Sequence, residues 1–183
     1  MTNVALIIID VQKGFDDPSW GNRNNPDAEA KIELLLSEWR TKKRPVIHVR
    51  HCSQEPNSPL RSDAPGFEFK EEVRPIAGEK CFTKTVNSAF IGTGLEEYLR
   101  SREIESLVVV GFTTDHCVST TTRMAGNLGF KVRLVSDATA TFDRRGGDGT
   151  EYLANDIHNI HLASLNGEFC TVRSVQQVLS EFA

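Results

Sequence analysis

Three residues with chemically useful side chains each follow a short apolar run of the sequence. Asp10 comes directly after Val4–Ile9, Cys117 comes shortly after Ser106–Gly111, and Lys84 ends a third, weaker run. A thiol, a carboxylate and an ammonium supply a nucleophile, its proton acceptor and a positive charge that stabilises the thiolate. If the three runs are strands of one parallel sheet, their ends can meet in a single crevice.

Cys117 lies where an apolar run passes through a tight turn into a helical pattern. At the start of a helix the unpaired backbone N–H groups and the positive end of the helix dipole stabilise a thiolate, so we expect a lowered pKa for this cysteine. The same N–H groups could hold a developing oxyanion. The alternative role is that of a small apolar residue that packs the helix onto the sheet.

Asp10 and Lys84 also have ordinary alternatives. An aspartate at the end of a strand often bonds its own backbone in a turn, and most lysines are solvated surface charges. The prediction of a site therefore depends on the conjunction, because nucleophile, acid–base group and cation fall at the ends of three different predicted strands.

The order of elements is typical of an α/β protein, because short β-branched runs alternate with amphipathic stretches. The predicted strands are Val4–Ile9, Pro45–Val49, Lys80–Lys84, Ser106–Gly111, Lys131–Val135 and Glu168–Val172. The predicted helices are Pro26–Lys42, capped by Asn25, and Leu95–Arg102, Val118–Leu128, Gly149–Leu165 and Val175–Phe182.

Length and composition favour one domain over residues 1–183. The net charge of -4 is spread along the chain, so we expect no nucleic-acid partner and no membrane surface. The N-terminal apolar run is too short for a signal peptide or a membrane helix, which favours a soluble cytoplasmic protein. In the cytoplasm we expect all four cysteines to remain thiols, namely Cys52, Cys81, Cys117 and Cys170.

Two segments between the predicted elements are unusual. His51–Glu79 is rich in Pro, Ser, Gly and charge and is too long for a routine connection, which favours a role at the site or at a subunit contact. Arg144–Gly149 is rich in glycine but matches no phosphate-binding pattern, so we expect a flexible loop.

Motifs along nearly the whole chain resemble those of the isochorismatase-like cysteine hydrolases, the superfamily of nicotinamidases, N-carbamoylsarcosine amidase and ureidoacrylate amidohydrolase. The motifs are Asp10-Val-Gln12 followed by Phe15, Lys84 with Asn87-Ser-Ala-Phe90, Gly111-Phe-Thr-Thr-Asp-His-Cys117-Val, Ser136-Asp137-Ala138-Thr139, and His158 with His161. The first three occur in the family's order and spacing, which is far more specific than any one of them.

The resemblance implies a three-layer αβα fold in which helices flank a six-stranded parallel sheet of order 3-2-1-4-5-6. It implies a catalytic triad of Asp10, Lys84 and Cys117, a cis peptide between Phe112 and Thr113, and an oxyanion hole formed by the N–H groups of Thr113 and Cys117. We further expect a small-molecule substrate, a homo-oligomer (dimer or tetramer), and no metal or organic cofactor.

The sequence departs from two kinds of family member. Nicotinamidases carry metal ligands, an Asp-x-His and a further His, after the second strand. Here that segment reads His48-Val-Arg-His51, and on a strand the two histidines would point to opposite faces. We therefore expect no metal and do not favour nicotinamide; the alternative is that the two histidines ligate a metal through the loop. Isochorismatases that cleave a vinyl ether lack the cysteine that is present here as Cys117.

The leading functional prediction is a hydrolase that cleaves a C–N bond of a small amide, carbamoyl or ureido compound through a thioester. The alternatives are a vinyl-ether hydrolase and a non-catalytic small-molecule-binding protein that retains the fold. Candidate substrate-binding residues lie after strands or near the motifs, namely Gln12, Phe15, Trp20, His51, Asn87 and Phe142. Phe15, Trp20 and Phe142 could instead cap the core or a dimer contact.

Overall fold

A computed structural model describes residues 3–182; residues 1, 2 and 183 of the predicted domain lie outside this range. The strands are β1 (Val4–Ile9), β2 (Val46–His51), β3 (Lys80–Lys84), β4 (Ser106–Phe112), β5 (Lys131–Ala140), β6 (Arg144–Arg145), β7 (Glu151–Tyr152) and β8 (Thr171–Arg173). Six of them form one parallel sheet in the order β3-β2-β1-β4-β5-β8. The predicted order 3-2-1-4-5-6 is confirmed, with β8 as its sixth strand.

Helices cover both faces of this sheet. They are α1 (Ala28–Thr41), α2 (Leu95–Ser101), α3 (Ser119–Asn127), α4 (Ala154–Leu165) and α5 (Val175–Glu181). Apolar side chains of α1 and α5 are buried against one face, and those of α2, α3 and α4 against the other. The predicted αβα layers are therefore confirmed. Within residues 3–182, no helix has both the length and the apolar character needed to span a membrane.

The start of α1 differs from the prediction. The helix begins at Ala28, with Asp27 in the capping position. Asn25 instead has a φ of 44°, and its side-chain amide donates to the carbonyls of Ser136 and Thr139 at 2.9 and 2.7 Å. Asn25 therefore joins this turn to the end of β5, and the prediction that it caps α1 is wrong.

The glycine-rich segment forms a short hairpin, so Arg144 and Arg145 belong to a strand and only residues 146–149 of the predicted loop lie in its turn. β6 and β7 pair antiparallel, with Arg144 opposite Tyr152. Gly149 in the turn has a φ of 86°, a conformation that glycine adopts without a steric penalty. Because Tyr152 belongs to a strand, α4 begins at Ala154 rather than at Gly149.

The long segment between β2 and β3 is tied to the sheet by Glu79. The Glu79 carboxylate accepts hydrogen bonds from Arg40 at 2.7 and 3.0 Å, and His48 Nε2 on β2 lies 2.8 Å away. Burial alone would raise the pKa of Glu79, but the bonds from Arg40, Ile76 N–H and His48 outweigh it and lower the pKa to about 2. The carboxylate is thus charged at neutral pH and fixes the end of the segment.

Candidate active site

Asp10 leaves β1 in a strained turn that brings its side chain into the crevice. Its N–H donates to the Val49 carbonyl of β2 at 2.8 Å, and its own carbonyl accepts from Gln12 N–H at 2.8 Å. Its φ is 53°, a left-handed conformation that aspartate tolerates better than most non-glycine residues. Outliers of this kind concentrate at functional sites. The carboxylate is completely buried.

Lys84 ends β3, and β2 lies between it and β1 in the sheet. Parallel pairing places His51, the last residue of β2, opposite Lys84. The lysine side chain reaches past this strand, so that Nζ lies 2.7 Å from Asp10 Oδ2 with both side chains fully buried. The alternative role of a solvated surface charge therefore does not apply to Lys84.

Cys117 lies in a wide turn between β4 and α3. The turn spans Thr114–Val118 and is closed by a bond from Val118 N–H to the Thr113 carbonyl at 3.1 Å. The peptide bond that enters it, between Phe112 and Thr113, is cis. Cys117 Sγ accepts from Lys84 Nζ at 3.2 Å and is only 8% exposed. The structure thus brings the three candidate catalytic side chains together.

The charges of these three groups depend on one another. Burial raises the pKa of Asp10, although Lys84 opposes that rise. Burial would lower the pKa of Lys84, but the charges of Asp10 and Cys117 outweigh it and raise that pKa. Burial and then the Asp10 charge raise the pKa of the Cys117 thiol, and Lys84 only partly opposes them. The prediction of a lowered cysteine pKa is wrong, because burial and the charge of the neighbouring Asp10 carboxylate raise it.

The site therefore holds a thiol with a raised pKa beside the Asp10 carboxyl group and the Lys84 ammonium. A carboxylate whose pKa is raised is a better proton acceptor than an ordinary surface aspartate. One ligand atom from each of Asp10, His51 and Cys117 lies within 4.8 Å of the others, a spacing that suits a cation. The Lys84 ammonium already contacts all three side chains, at 2.7, 3.1 and 3.2 Å respectively. The positive charge of this site is thus supplied by the chain itself.

Two candidate substrate-binding residues contact this centre. His51 Nδ1 lies 3.1 Å from Lys84 Nζ. Asn87 Oδ1 lies 3.8 Å from Cys117 Sγ, and Asn87 is exposed in the loop that follows β3. Burial, and then the Lys84 charge, lower the pKa of His51 to about 4, so the ring is neutral at neutral pH.

Gln12 is buried, and its amide is fully engaged with the backbone. Oε1 accepts from His51 N–H at 2.8 Å, while Nε2 donates to the carbonyls of His51 and Phe67 at 3.0 and 3.1 Å. Phe67 belongs to the long segment after β2, which explains how that segment is held beside the site. These bonds give Gln12 a structural role, and its predicted contact with a substrate stays a prediction.

The aromatic candidates pack together instead of standing apart. The ring centroids of Phe15 and Phe142 are 6.1 Å apart, and Trp20 lies 5.1 Å from Phe15 and 5.6 Å from Phe142. Trp20 also donates to the Gly14 carbonyl at 2.8 Å. Phe15 and Phe142 are buried members of the core cluster, so the alternative that they cap the core fits their positions.

His48 and His51 lie on opposite faces of β2, as expected from their spacing. His48 is completely buried and contacts Glu79 and the ring of Phe69. His51 contacts Lys84 on the other face. The two imidazoles do not converge, so this pair does not fit the donor set of a single metal ion.

Two contacts that fix the nucleophile turn were not predicted. Asp115 accepts from Thr141 at 2.5 Å and from the Arg144 guanidinium at 2.7 and 3.2 Å. Thr114 Oγ1 lies 2.9 Å from His158 Nδ1 of α4. Burial alone would raise the pKa of Asp115, but the bonds from Arg144 and Thr141 lower it to about 2. The motifs contain Asp115 and His158, but no local pattern links either to its partner.

A buried ion-pair network packs behind the strand that enters this turn. Glu29 accepts from Arg23 at 2.6 and 2.8 Å and from Lys70 at 2.6 Å. Arg23 and Lys70 also lie over the ring of Phe112, at 5.1 and 5.7 Å from its centroid. The network therefore supports the residue directly before the cis peptide.

Comparison with known proteins places this geometry in a family. A family model described as the isochorismatase domain matches residues 4–177. YrdC, an isochorismatase family protein of Bacillus subtilis strain 168, is 52% identical over 97% of this chain and 95% of its own length. The crystal structure of an isochorismatase family protein from Chromobacterium violaceum has a TM-score of 0.93 at 47% identity, covering 98% of this chain and 92% of that one. A cysteine hydrolase from Pseudomonas syringae has a TM-score of 0.88 at 26% identity, covering 97% and 91%.

Proposed function

The chain belongs to the isochorismatase family of hydrolases, and from that premise we propose that it cleaves a C–N bond of a small amide, carbamoyl or ureido compound through a thioester on Cys117. One observation carries the proposal: a buried ammonium, Lys84 Nζ, lies between the Asp10 carboxylate and the Cys117 thiol, at 2.7 and 3.2 Å. This arrangement supplies the nucleophile, its base and a counter-charge without exposing any of them to bulk water.

Acylation begins with proton transfer. The Asp10 carboxylate takes the thiol proton, and the Cys117 sulfur then forms a bond to the substrate carbonyl carbon. The N–H groups of Thr113 and Cys117 hold the oxyanion that develops on the carbonyl oxygen. When this intermediate collapses the C–N bond breaks, and Asp10 gives its proton to the leaving nitrogen, so that ammonia or an amine departs.

Deacylation repeats the sequence with water. The Asp10 carboxylate takes a proton from water while the water oxygen attacks the thioester carbon. The C–S bond breaks, the acid product leaves, and the sulfur regains its proton from Asp10. Lys84 remains charged throughout and stabilises the thiolate each time it forms.

The site also explains why the thiol can rest in its protonated form. The Cys117 pKa is raised by burial and by the Asp10 charge, so a free thiolate is not maintained in the resting protein. Transfer of the proton to Asp10 removes the negative charge that opposes the thiolate and leaves Lys84 as its neighbour. The same proton transfer thus forms the thiolate and removes the charge that opposes it.

An ammonia-release screen tests this function. The panel contains simple primary amides, nicotinamide, N-carbamoylsarcosine and ureidoacrylate, with Cys117→Ala as the blank and Cys81→Ala, which removes an exposed thiol, as the matched control. We expect at least one compound to be cleaved by the unaltered protein and by Cys81→Ala, but not by Cys117→Ala.

Other outcomes would support the alternative functions. Cleavage of isochorismate that survives Cys117→Ala would indicate vinyl-ether hydrolysis. Binding of a panel compound without cleavage would indicate a binding protein that retains the fold.

A further inference from the structure

Three side chains that can accept a hydrogen bond surround the Lys84 ammonium, which has three N–H bonds. Its Nζ lies 2.7 Å from Asp10 Oδ2, 3.2 Å from Cys117 Sγ and 3.1 Å from His51 Nδ1. An ammonium carries three donors and no acceptor, so His51 must accept in the third contact. Lys84 is only 1% exposed, which leaves little access for solvent to replace any of the three.

Hydrogen bonds from Gln12 and the pairing of β2 with β3 fix the backbone of His51. Gln12 accepts from His51 N–H at 2.8 Å and donates to the His51 carbonyl at 3.0 Å. The pairing of β2 with β3 places the residue directly opposite Lys84. Because Gln12 follows Asp10 by two residues, the same short motif carries the carboxylate and fixes the backbone of His51.

A neutral ring suits this contact. With a pKa lowered to about 4, His51 carries no charge at neutral pH, and its Nδ1 lone pair is free to accept from Lys84. A protonated ring would instead place a second positive charge 3.1 Å from the ammonium. The contact therefore requires a neutral imidazole, and burial and the Lys84 charge keep the ring neutral.

We propose that His51 is a positioning residue which, as the third acceptor of the Lys84 ammonium, holds that cation between Asp10 and Cys117. This role differs from the substrate contact predicted from the sequence, and it rests on the proposed function of the same site. Loss of the acceptor leaves a buried N–H bond of Lys84 unpaired. This destabilises the charged form of Lys84 in the site, so the Cys117 thiolate is harder to form.

Two substitutions of similar polarity separate this role from a merely structural one. In His51→Asn the side-chain Oδ1 is bonded to Cγ, as Nδ1 is in histidine, and it can accept from Lys84. In His51→Gln the corresponding oxygen lies one bond further out, near the former position of Nε2. Both variants keep a backbone N–H and C=O for Gln12.

The measurement is the rate of iodoacetamide alkylation at Cys117 between pH 6 and 10, located by peptide mass spectrometry, with thermal unfolding as a check on the fold. We expect His51→Gln to lower the rate near pH 8 by about tenfold, which corresponds to a rise of about one unit in the cysteine pKa, or about 1.4 kcal/mol. We expect His51→Asn to recover at least about half of the original rate, because it restores the acceptor.

The outcomes distinguish this inference from the proposed function, because alkylation needs no substrate. Equal rates in both folded variants and in the unaltered protein would overturn the inference, even if amide cleavage still depended on Cys117. Equal loss in both would also overturn it, because the acceptor at the δ position would then be irrelevant. A rate restored only by asparagine would support it even if no amide of the panel were cleaved. On a cleaved amide, a positioning role predicts that kcat falls in His51→Gln while KM changes little, whereas a substrate contact predicts a rise in KM.

Discussion

Lys84 and Asp10 form an ion pair 2.7 Å long in which neither side chain is exposed. Removal of one partner from such a pair leaves an uncompensated buried charge and costs about 3–5 kcal/mol unless the remaining group becomes neutral. Here the ammonium also lies 3.2 Å from the Cys117 sulfur. One cation therefore serves both the base and the nucleophile, and its removal should affect the two differently.

Replacement of Lys84 by methionine should remove the cation while it keeps most of the stem. Because Lys84 lowers the pKa of Cys117, we expect that pKa to rise further in Lys84→Met. Turnover should be nearly abolished, and alkylation by iodoacetamide near pH 8 should slow by about tenfold or more. Lys80→Met, which changes an exposed lysine of the same strand, is the control. Equal labelling of Lys84→Met and the unaltered protein would show that Lys84 is not paired with the thiolate.

Replacement of Asp10 by asparagine should separate proton transfer from thiol reactivity. The Asp10 charge raises the pKa of Cys117, so its removal should lower that pKa and keep or increase the rate of alkylation. Turnover should nevertheless fall by about 10²–10⁴-fold, because asparagine cannot accept the proton. The comparison is ammonia release against labelling in the same preparation. Turnover in Asp10→Asn at a rate close to that of the unaltered protein would exclude Asp10 as the base.

Glu79 should make stability depend on pH in the acid range. Its pKa is lowered to about 2 in the folded protein, from an ordinary value of 4.5, and its side chain is 8% exposed. A depressed carboxyl pKa contributes stability that is complete above about pH 4.5 and is lost as the pH falls towards 2. We expect Glu79→Gln to lower the free energy of unfolding by about 2–3 kcal/mol at pH 7 and to converge with the unaltered protein near pH 2.

Urea unfolding between pH 2.5 and 7 measures this effect. The control is Glu72→Gln, which changes an exposed carboxylate of the same segment. A constant difference between Glu79→Gln and the unaltered protein at every pH would contradict the assignment of the lowered pKa to Glu79.

Gly111 should tolerate no side chain beside the Asp10 turn. A Cβ at this position would lie 2.0 Å from the Ile9 carbonyl oxygen, and the φ of 119° is unfavourable for other residues. We expect Gly111→Ala to destabilise the protein by about 4 kcal/mol or more. Gly129→Ala is the matched control, because Gly129 also has a positive φ, of 84°, but its Cβ would meet no atom within 4 Å. That control should cost only about 1–2 kcal/mol in thermal or urea unfolding. Similar losses of stability in both variants would show that the close approach of β1 and β4 at Gly111 does not add to the cost of a side chain there.

The bounds of β1 could be predicted because the signal is local, whereas β5 continues to Ala140, beyond the predicted end at Val135. Val4–Ile9 is a continuous apolar run that stops at Asp10, and the structure gives the strand the same bounds. The order of the strands was implied by the resemblance to a family rather than by periodicity. The expected meeting of Asp10, Lys84 and Cys117 depended on both.

Contacts between distant segments could not be predicted in this way. Arg144 and Asp115 are 29 residues apart, and His48 and Glu79 are 31 apart, yet each pair forms a bond that fixes a segment near the site. The pKa of Cys117 has the same origin, because its rise depends on burial and on the distance to Asp10. Local sequence around a cysteine shows a helix start but not the charges that fold beside it.

The central claim is a covalent bond between Cys117 and the acyl part of the substrate. The most direct measurement is the mass of the protein after acid quench during turnover of an amide that it cleaves. We expect an added mass equal to the acyl group, located on the peptide that contains Cys117, removed by hydroxylamine and absent from Cys117→Ala. That variant should also release ammonia at less than about one thousandth of the original rate. A Cys117→Ala protein that turns over the same amide at a rate close to that of the unaltered protein would contradict the account.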